Sequence, residues 1–202
     1  MSCVIPPVLQ NPMLHNAVVA NMQNDLDGMG WIDKIYPLAE MGERQIGENN
    51  EKVIVPIIFG QTGNKDYIEM FPDDSERAGC FFELPNGDYN FDFVNELVEF
   101  QMNIIVWANL KNLASRTYDF TDELIASVVI AIQDGYYKND ITSISVTKDK
   151  DKVFNKYGYD YTTLKSFMYP NTAFKITITM SNEETLSCLS AGTFDPSFSP
   201  EC

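Results

Sequence analysis

The chain has 202 residues, of which 45% are hydrophobic, enough for a real core and too many for global disorder. Acidic residues outnumber basic ones, 29 to 14, giving a formal net charge of −15; this argues against a protein that grips nucleic-acid phosphates through clustered cations. At about 150 residues per domain, the length suits one domain with ordinary decoration.

Apolar runs such as Ile104–Ala108 fall far short of the ~20 residues of a membrane helix. The opening Met1-Ser2-Cys3-Val4-Ile5-Pro6-Pro7 has neither a basic region nor an adequate apolar stretch, so no signal peptide is expected. Cys3, Cys80, Cys188 and Cys202 are scattered and form no CxxC pair. Free thiols in a reducing cytoplasm are the expectation, with a Cys188–Cys202 bridge as the alternative. His15 is the single histidine, which excludes two-histidine zinc sites. No nucleophile stands beside it, so a surface or interface position is expected.

The first predicted helix follows Asn11-Pro12, with Met13, Leu14, Ala17, Val18 and Met22 at helical spacing and an end near Asp27, before Gly28. Trp31–Tyr36 reads as a short extended segment stopped by Pro37, and polar Gly42–Glu51 as a loop. Val53–Phe59 is β-rich, but Pro56 makes an edge or bulged strand the expectation. Tyr67–Phe71 and Gly79–Leu84 are further short strands; the short polar turns between the three predict antiparallel neighbours. From Val98 to Ala108 the even positions are apolar and the odd ones begin Glu99, Gln101, Asn103, a long strand with one buried face. Ile105 and Trp107 make its far end apolar on both faces, so a helix or a neighbouring subunit should cover it. A helix with Thr121 as cap carries Leu124, Ile125, Val128, Val129 and Ile132 on one stripe and stops at Gly135. Ile141–Thr147 reads as a strand, Lys148–Lys152 as a solvated hairpin or loop, and Phe174–Met180 as the last alternating strand. The fold class is therefore α+β, a mostly antiparallel sheet with two helices packed on it. It comprises one domain over 1–180 and an irregular tail over 181–202 that is extended or ordered by a partner.

Motifs for chemistry are sparse. There is no phosphate loop, dinucleotide fingerprint or GxSxG. Gly60-Gln61-Thr62-Gly63-Asn64-Lys65 lacks the GK[ST] ending and reads as a hairpin turn. Asp73-Asp74-Ser75-Glu76, with Asp33 or Asp88, matches no calcium loop. Tyr157-Gly158-Tyr159-Asp160-Tyr161 has no interleaved cations, which favours packing or protein contact over base stacking. No catalytic, cofactor-binding or metal residue is expected. The 13 Phe, 10 Tyr and 2 Trp point instead to protein contact, with Trp31, Phe71, Ile105, Trp107, Tyr159, Phe194 and Phe198 as candidate assembly contacts.

Several segments carry a resemblance: Ile32-Asp33-Lys34-Ile35-Tyr36-Pro37-Leu38-Ala39, Phe71-Pro72-Asp73-Asp74, Gly79-Cys80-Phe81-Phe82, Ile105-Val106-Trp107-Ala108-Asn109-Leu110, and Phe167-Met168-Tyr169-Pro170 before Ala173-Phe174-Lys175-Ile176. Together, over residues 10–180, they resemble the small neck and tail-completion proteins of tailed bacteriophages, in particular the tail terminator group. The resemblance implies an α+β virion protein, assembled in the host cytoplasm as a homo-oligomeric ring, often a hexamer. Such a ring caps the tail tube, meets the tube protein and a head-completion or adaptor protein, and lets DNA pass without specific binding. It implies no catalytic residue. The alternatives are a head-completion or adaptor protein bound to the portal, or a soluble enzyme or ligand-binding domain with a site spread over loops.

Overall fold

The computed structural model describes residues 14–46, 51–59, 67–70, 76–85, 89–92, 97–158 and 170–182. In chain order these form helix α1 (Leu14–Asp27), strands β1 (Lys34–Leu38), β2 (Glu40–Ile46), β3 (Glu51–Phe59), β4 (Tyr67–Glu69), β5 (Ala78–Glu83), β6 (Tyr89–Asp92) and β7 (Leu97–Asn109), helices α2 (Leu110–Leu113) and α3 (Thr121–Asp134), strand β8 (Ile141–Thr147), helix α4 (Lys150–Val153) and strand β9 (Asn171–Asn182).

The period-two segment becomes β7, the axis of a six-stranded sheet ordered β1-β5-β7-β9-β8, with β6 pairing the first residues of β7. Every pairing is antiparallel except β1 with β5. Alternation then sorts the side chains. Phe100, Met102, Ile104, Val106 and Ala108 point to one face with Cys80, Phe82, Phe174, Ile176, Ile178 and Met180, all buried in the main core. Helices α1 and α3 cover that face. Val18, Met22 and Leu26 recur every fourth residue on α1, and Leu124, Val128 and Ile132 do so on α3, so each helix sets one stripe on the sheet. Full burial of each such side chain contributes about 1.5–3 kcal/mol.

The other face carries Phe81, Ile105, Trp107 and Ala173, which pack with Met70, Val153, Phe154 and Tyr157 into a second core, flanked by Tyr36, Ala39 and Ile58. A three-stranded sheet, β2-β3-β4, and the α4 segment thus form a layer opposite the two long helices. Chain segments of the same molecule cover the apolar far end of β7.

Several expectations need correction. The polar run from Gly42 lies in part in β2, paired along its length with β3. Pro37 does not stop β1 but lies within it. β3 is the middle strand of its sheet, not an edge. Pro56 is tolerated there because its carbonyl, and hence its missing N–H, faces the β4 side just where that short strand ends, the carbonyl accepting from Met70 N–H at 3.0 Å. β4 and β5 are not neighbours, since β5 leaves for the main sheet. Thr121 is the first residue of α3 rather than its cap. Phe120 stands at the cap without a side-chain bond, while Asp119 Oδ1 accepts the Thr121 N–H at 2.9 Å. Residues 150–153 are helical, because Val153 and Phe154 turn into the second core. Gly135 ends α3 as expected, and for a further reason: a Cβ there would lie 2.2 Å from Asp25 Oδ2, the atom that accepts the Tyr136 N–H at 3.1 Å.

Candidate functional site

The main concentration of buried polar chemistry lies where β5 and β7 leave the second core. Glu83 closes an otherwise apolar strand and Asn103 interrupts the apolar far end of β7, opposite it in register; both are buried. Asn103 Nδ2 donates to Glu83 Oε1 at 2.7 Å, and the Thr177 hydroxyl donates to Asn103 Oδ1 at 2.7 Å. The Tyr157 hydroxyl donates to Glu83 Oε2. Lys156 Nζ stands 3.9 Å from Glu83 Oε1 and donates to the carbonyls of Leu84 and Pro85 at 3.1 and 2.6 Å.

Each Glu83 oxygen therefore has a fixed donor, and the aromatic body of Tyr157 lies between the carboxylate and Phe81. A carboxylate held this way is costly to bury unless its bonds are complete, and here they join strands β5, β7 and β9 to the segment after α4. The arrangement fastens the second layer to the sheet. Sequence reading passed over Glu83 and Asn103. The signal for both was a polar residue breaking a buried apolar run.

Other titratable groups are committed as well. His15, expected at a surface or interface, is 1% exposed, edge-on to Phe100 with ring centroids 4.9 Å apart; burial pushes its pKa down to about 4. The Cys80 thiol is free and buried, and burial pushes it up to about 12, so it is neither nucleophile nor ligand. Asp33 receives the Arg77 backbone N–H at 2.7 Å and its Nε at 2.8 Å, and the guanidinium holds its carboxyl below the usual range. Glu76 pairs with Lys34 at 2.7 Å. These two members of the imagined acidic metal site are thus tied to cations, while Asp73, Asp74, Ser75 and Asp88 lie outside the described residues. Among the described residues no group of three or more His, Cys, Asp or Glu could hold a metal ion, and no helix is long and apolar enough to cross a membrane.

The candidate assembly contacts separate. Ile105 and Trp107 are 0% and 6% exposed inside the second core, Trp107 stacked on Tyr36 with centroids 6.1 Å apart. A residue packed there is unavailable to a partner, so both are corrected from assembly contact to core. Trp31 is half-buried against the main core. Phe71, Tyr159, Phe194 and Phe198 lie outside the described residues, as do Gly60–Lys65 and the tail from residue 183 onward. Among the described residues β8 is an edge strand of the main sheet, as β2 is of the three-stranded sheet. No model of a known protein family matches this chain, and no curated protein sequence matches it.

Proposed function

We propose that the chain is a non-enzymatic structural subunit of a tailed-phage neck: a ring-forming tail terminator of the virion that caps the tail tube, meets a head-completion or adaptor protein and lets DNA pass. The observation that carries this reading is where the fold puts the segments behind the resemblance. Ile32–Ala39, Gly79–Phe82, Ile105–Leu110 and Ala173–Ile176, far apart in sequence, fall on or beside the adjacent strands β1, β5, β7 and β9. Ile35 lies opposite Cys80, Cys80 opposite Val106, and Val106 opposite Phe174. The described part of the likeness thus falls on one continuous block of sheet, while Phe71–Asp74 and Phe167–Tyr169 lie outside the described residues.

The charge distribution supports the same reading. Lys34, Lys52, Arg77, Arg116, Lys148 and Lys152 each sit against a carboxylate, in a chain of net charge −15. Such a wall repels phosphates instead of trapping them.

The test is made in particles of the virus that encodes the chain. Loss of the gene should leave filled heads unjoined beside tails of irregular length, and the purified chain should form discrete rings on tail-tube ends in negative stain. DNA leaking from tailless heads assigns the chain to head completion instead. Normal infectious particles overturn the structural reading.

A further inference from the structure

The two edges of the six-stranded sheet are unlike. In β1, Pro37 has no N–H to offer, and the Ile35 carbonyl already accepts from Gln23 Nε2 at 3.1 Å. At the opposite edge, β8 reads Ile-Thr-Ser-Ile-Ser-Val-Thr, with no proline and no charge. Among the described residues no strand pairs with its outer side. Monomeric proteins guard such an edge with lysine, proline or a bulge. Here the irregularity is confined to Ile141–Ser143, and pairing from Ser143 to Thr147 is regular.

Register identifies what the open side offers. The Ser181 N–H donates to the Asp140 carbonyl at 2.8 Å, and the Leu110 N–H to the Pro170 carbonyl at 2.9 Å. Odd residues of β9 therefore face β8 and even ones face β7. Ser143, Ser145 and Thr147 lie opposite Thr179, Thr177 and Lys175, so their backbone groups turn inward, and the N–H and C=O of Ile144 and Val146 turn outward. We infer that β8 is a self-association edge, pairing antiparallel with β8 of a second copy about a two-fold axis at Ser145.

A second copy fits this edge in three respects. Ile144 comes opposite the partner's Val146, so the outward donors and acceptors meet as two hydrogen-bonded pairs. Apolar side chains then meet on one face, where Val146 is 41% exposed in the single chain; on the other face hydroxyls meet, Ser143 against the partner's Thr147 and Ser145 against the partner's Ser145. Finally, no charged side chain lies within Ile141–Thr147, and Lys148, which already holds Asp122 at 2.7 Å, comes opposite the partner's Thr142, so the antiparallel pairing sets no like charges against each other. A parallel arrangement would align like charges. A two-fold pair closes on itself, so this contact is separate from any surface that closes a ring and stands without the neck reading.

Sedimentation equilibrium of the full chain should show a dimer at micromolar concentration. Val146→Pro deletes an outward N–H and none that pairs with β9; it should weaken the dimer about tenfold or more while keeping a cooperative melt. A covalent readout guards against misfolding. With Cys3, Cys188 and Cys202 replaced by serine, Ser145→Cys sets two thiols opposite each other at a closely spaced pair, and diamide should convert the chain to disulfide dimers. Ser143→Cys, opposite the partner's Thr147, should yield far less. A monomer at every concentration, or equal crosslinking at the two positions, overturns the inference. Rings on tail tubes that form without any sensitivity of the free protein to Val146→Pro overturn it while leaving the neck reading intact.

Discussion

Replacing Gly79 by alanine should set a methyl group against the indole of Trp107. The two residues are directly opposite on β5 and β7, and a Cβ at Gly79 would lie 2.5 Å from Cζ2 and 2.9 Å from Cε2 of the ring. The indole cannot swing away freely, because Tyr36 stacks on it and Phe81 tilts against it, both with centroids at 6.1 Å. Overpacking of this kind costs about 1–3 kcal/mol, set against a gain of roughly 0.5–1 kcal/mol from removing a glycine inside a strand. Trp107→Phe removes the benzo ring that fills this space and should cost about 1–3 kcal/mol through the void it leaves. In the double variant the new methyl group enters the void, so the two changes should be less than additive by about 1–2 kcal/mol. Urea melts of the four proteins, extrapolated linearly, measure this coupling. Additivity within about 0.5 kcal/mol would refute the placement of Trp107 over Gly79 and reopen its role as a partner contact.

Phe100→Asp should cost several kcal/mol and prevent soluble expression, because it places an unpaired carboxylate in the main core, whereas Glu99→Lys on the exposed side of β7 should melt within about 0.5 kcal/mol of the parent. His15 should make stability depend on acid. Its proton affinity falls from a pKa of 6.5 when unfolded to about 4 when folded, so the unfolded chain binds the extra proton and stability falls as pH drops from 6.5 towards 4. The loss should reach about 2–3 kcal/mol, read as the difference in pH dependence between parent and His15→Leu; identical slopes would place the ring in solvent. Cys80 should resist alkylation in the native protein at pH 8 and react only on unfolding, as peptide mapping would show.

The elements legible in the sequence are those with one wet face. β7 and β9 alternate because polar residues such as Gln101, Lys175 and Thr179 hold the second side of each strand, and α3 declares itself through Leu124, Val128 and Ile132. β5 shows no alternation because all six of its residues are buried, helices covering one face and the second core the other. Its parallel pairing with β1 depends on strand order, which no local pattern encodes. The α4 segment was hidden by its charges: Lys148 to Lys152 alternate in sign, and only the following Val153, Phe154 and Tyr157 disclose a buried side. Glu83 and Asn103 were illegible as a pair, since twenty positions separate residues that register brings opposite each other.

The cover over Ile105 and Trp107 changes where association chemistry must reside. An aromatic-rich chain suggests large side chains as interface anchors, yet Trp107, Phe81, Phe154 and Tyr157 are consumed in a second core that a single-layer fold would lack. Among the described residues the large exposed apolar side chains are scattered singly, at Met41, Ile54, Tyr118, Ile130, Tyr136 and Val146, which is ordinary for a protein surface. Of these, Met41 on β2 and Val146 on β8 sit on edge strands; β2 carries Glu40, Glu43 and Arg44 along its length, whereas β8 has no charged residue. Backbone pairing is directional and sets register before any side chain contributes, so an edge such as β8 can specify a neighbour without a hydrophobic patch. In a chain of net charge −15 that distinction matters: like charge opposes the approach of two copies, and β8 brings no charged side chain of its own to the contact.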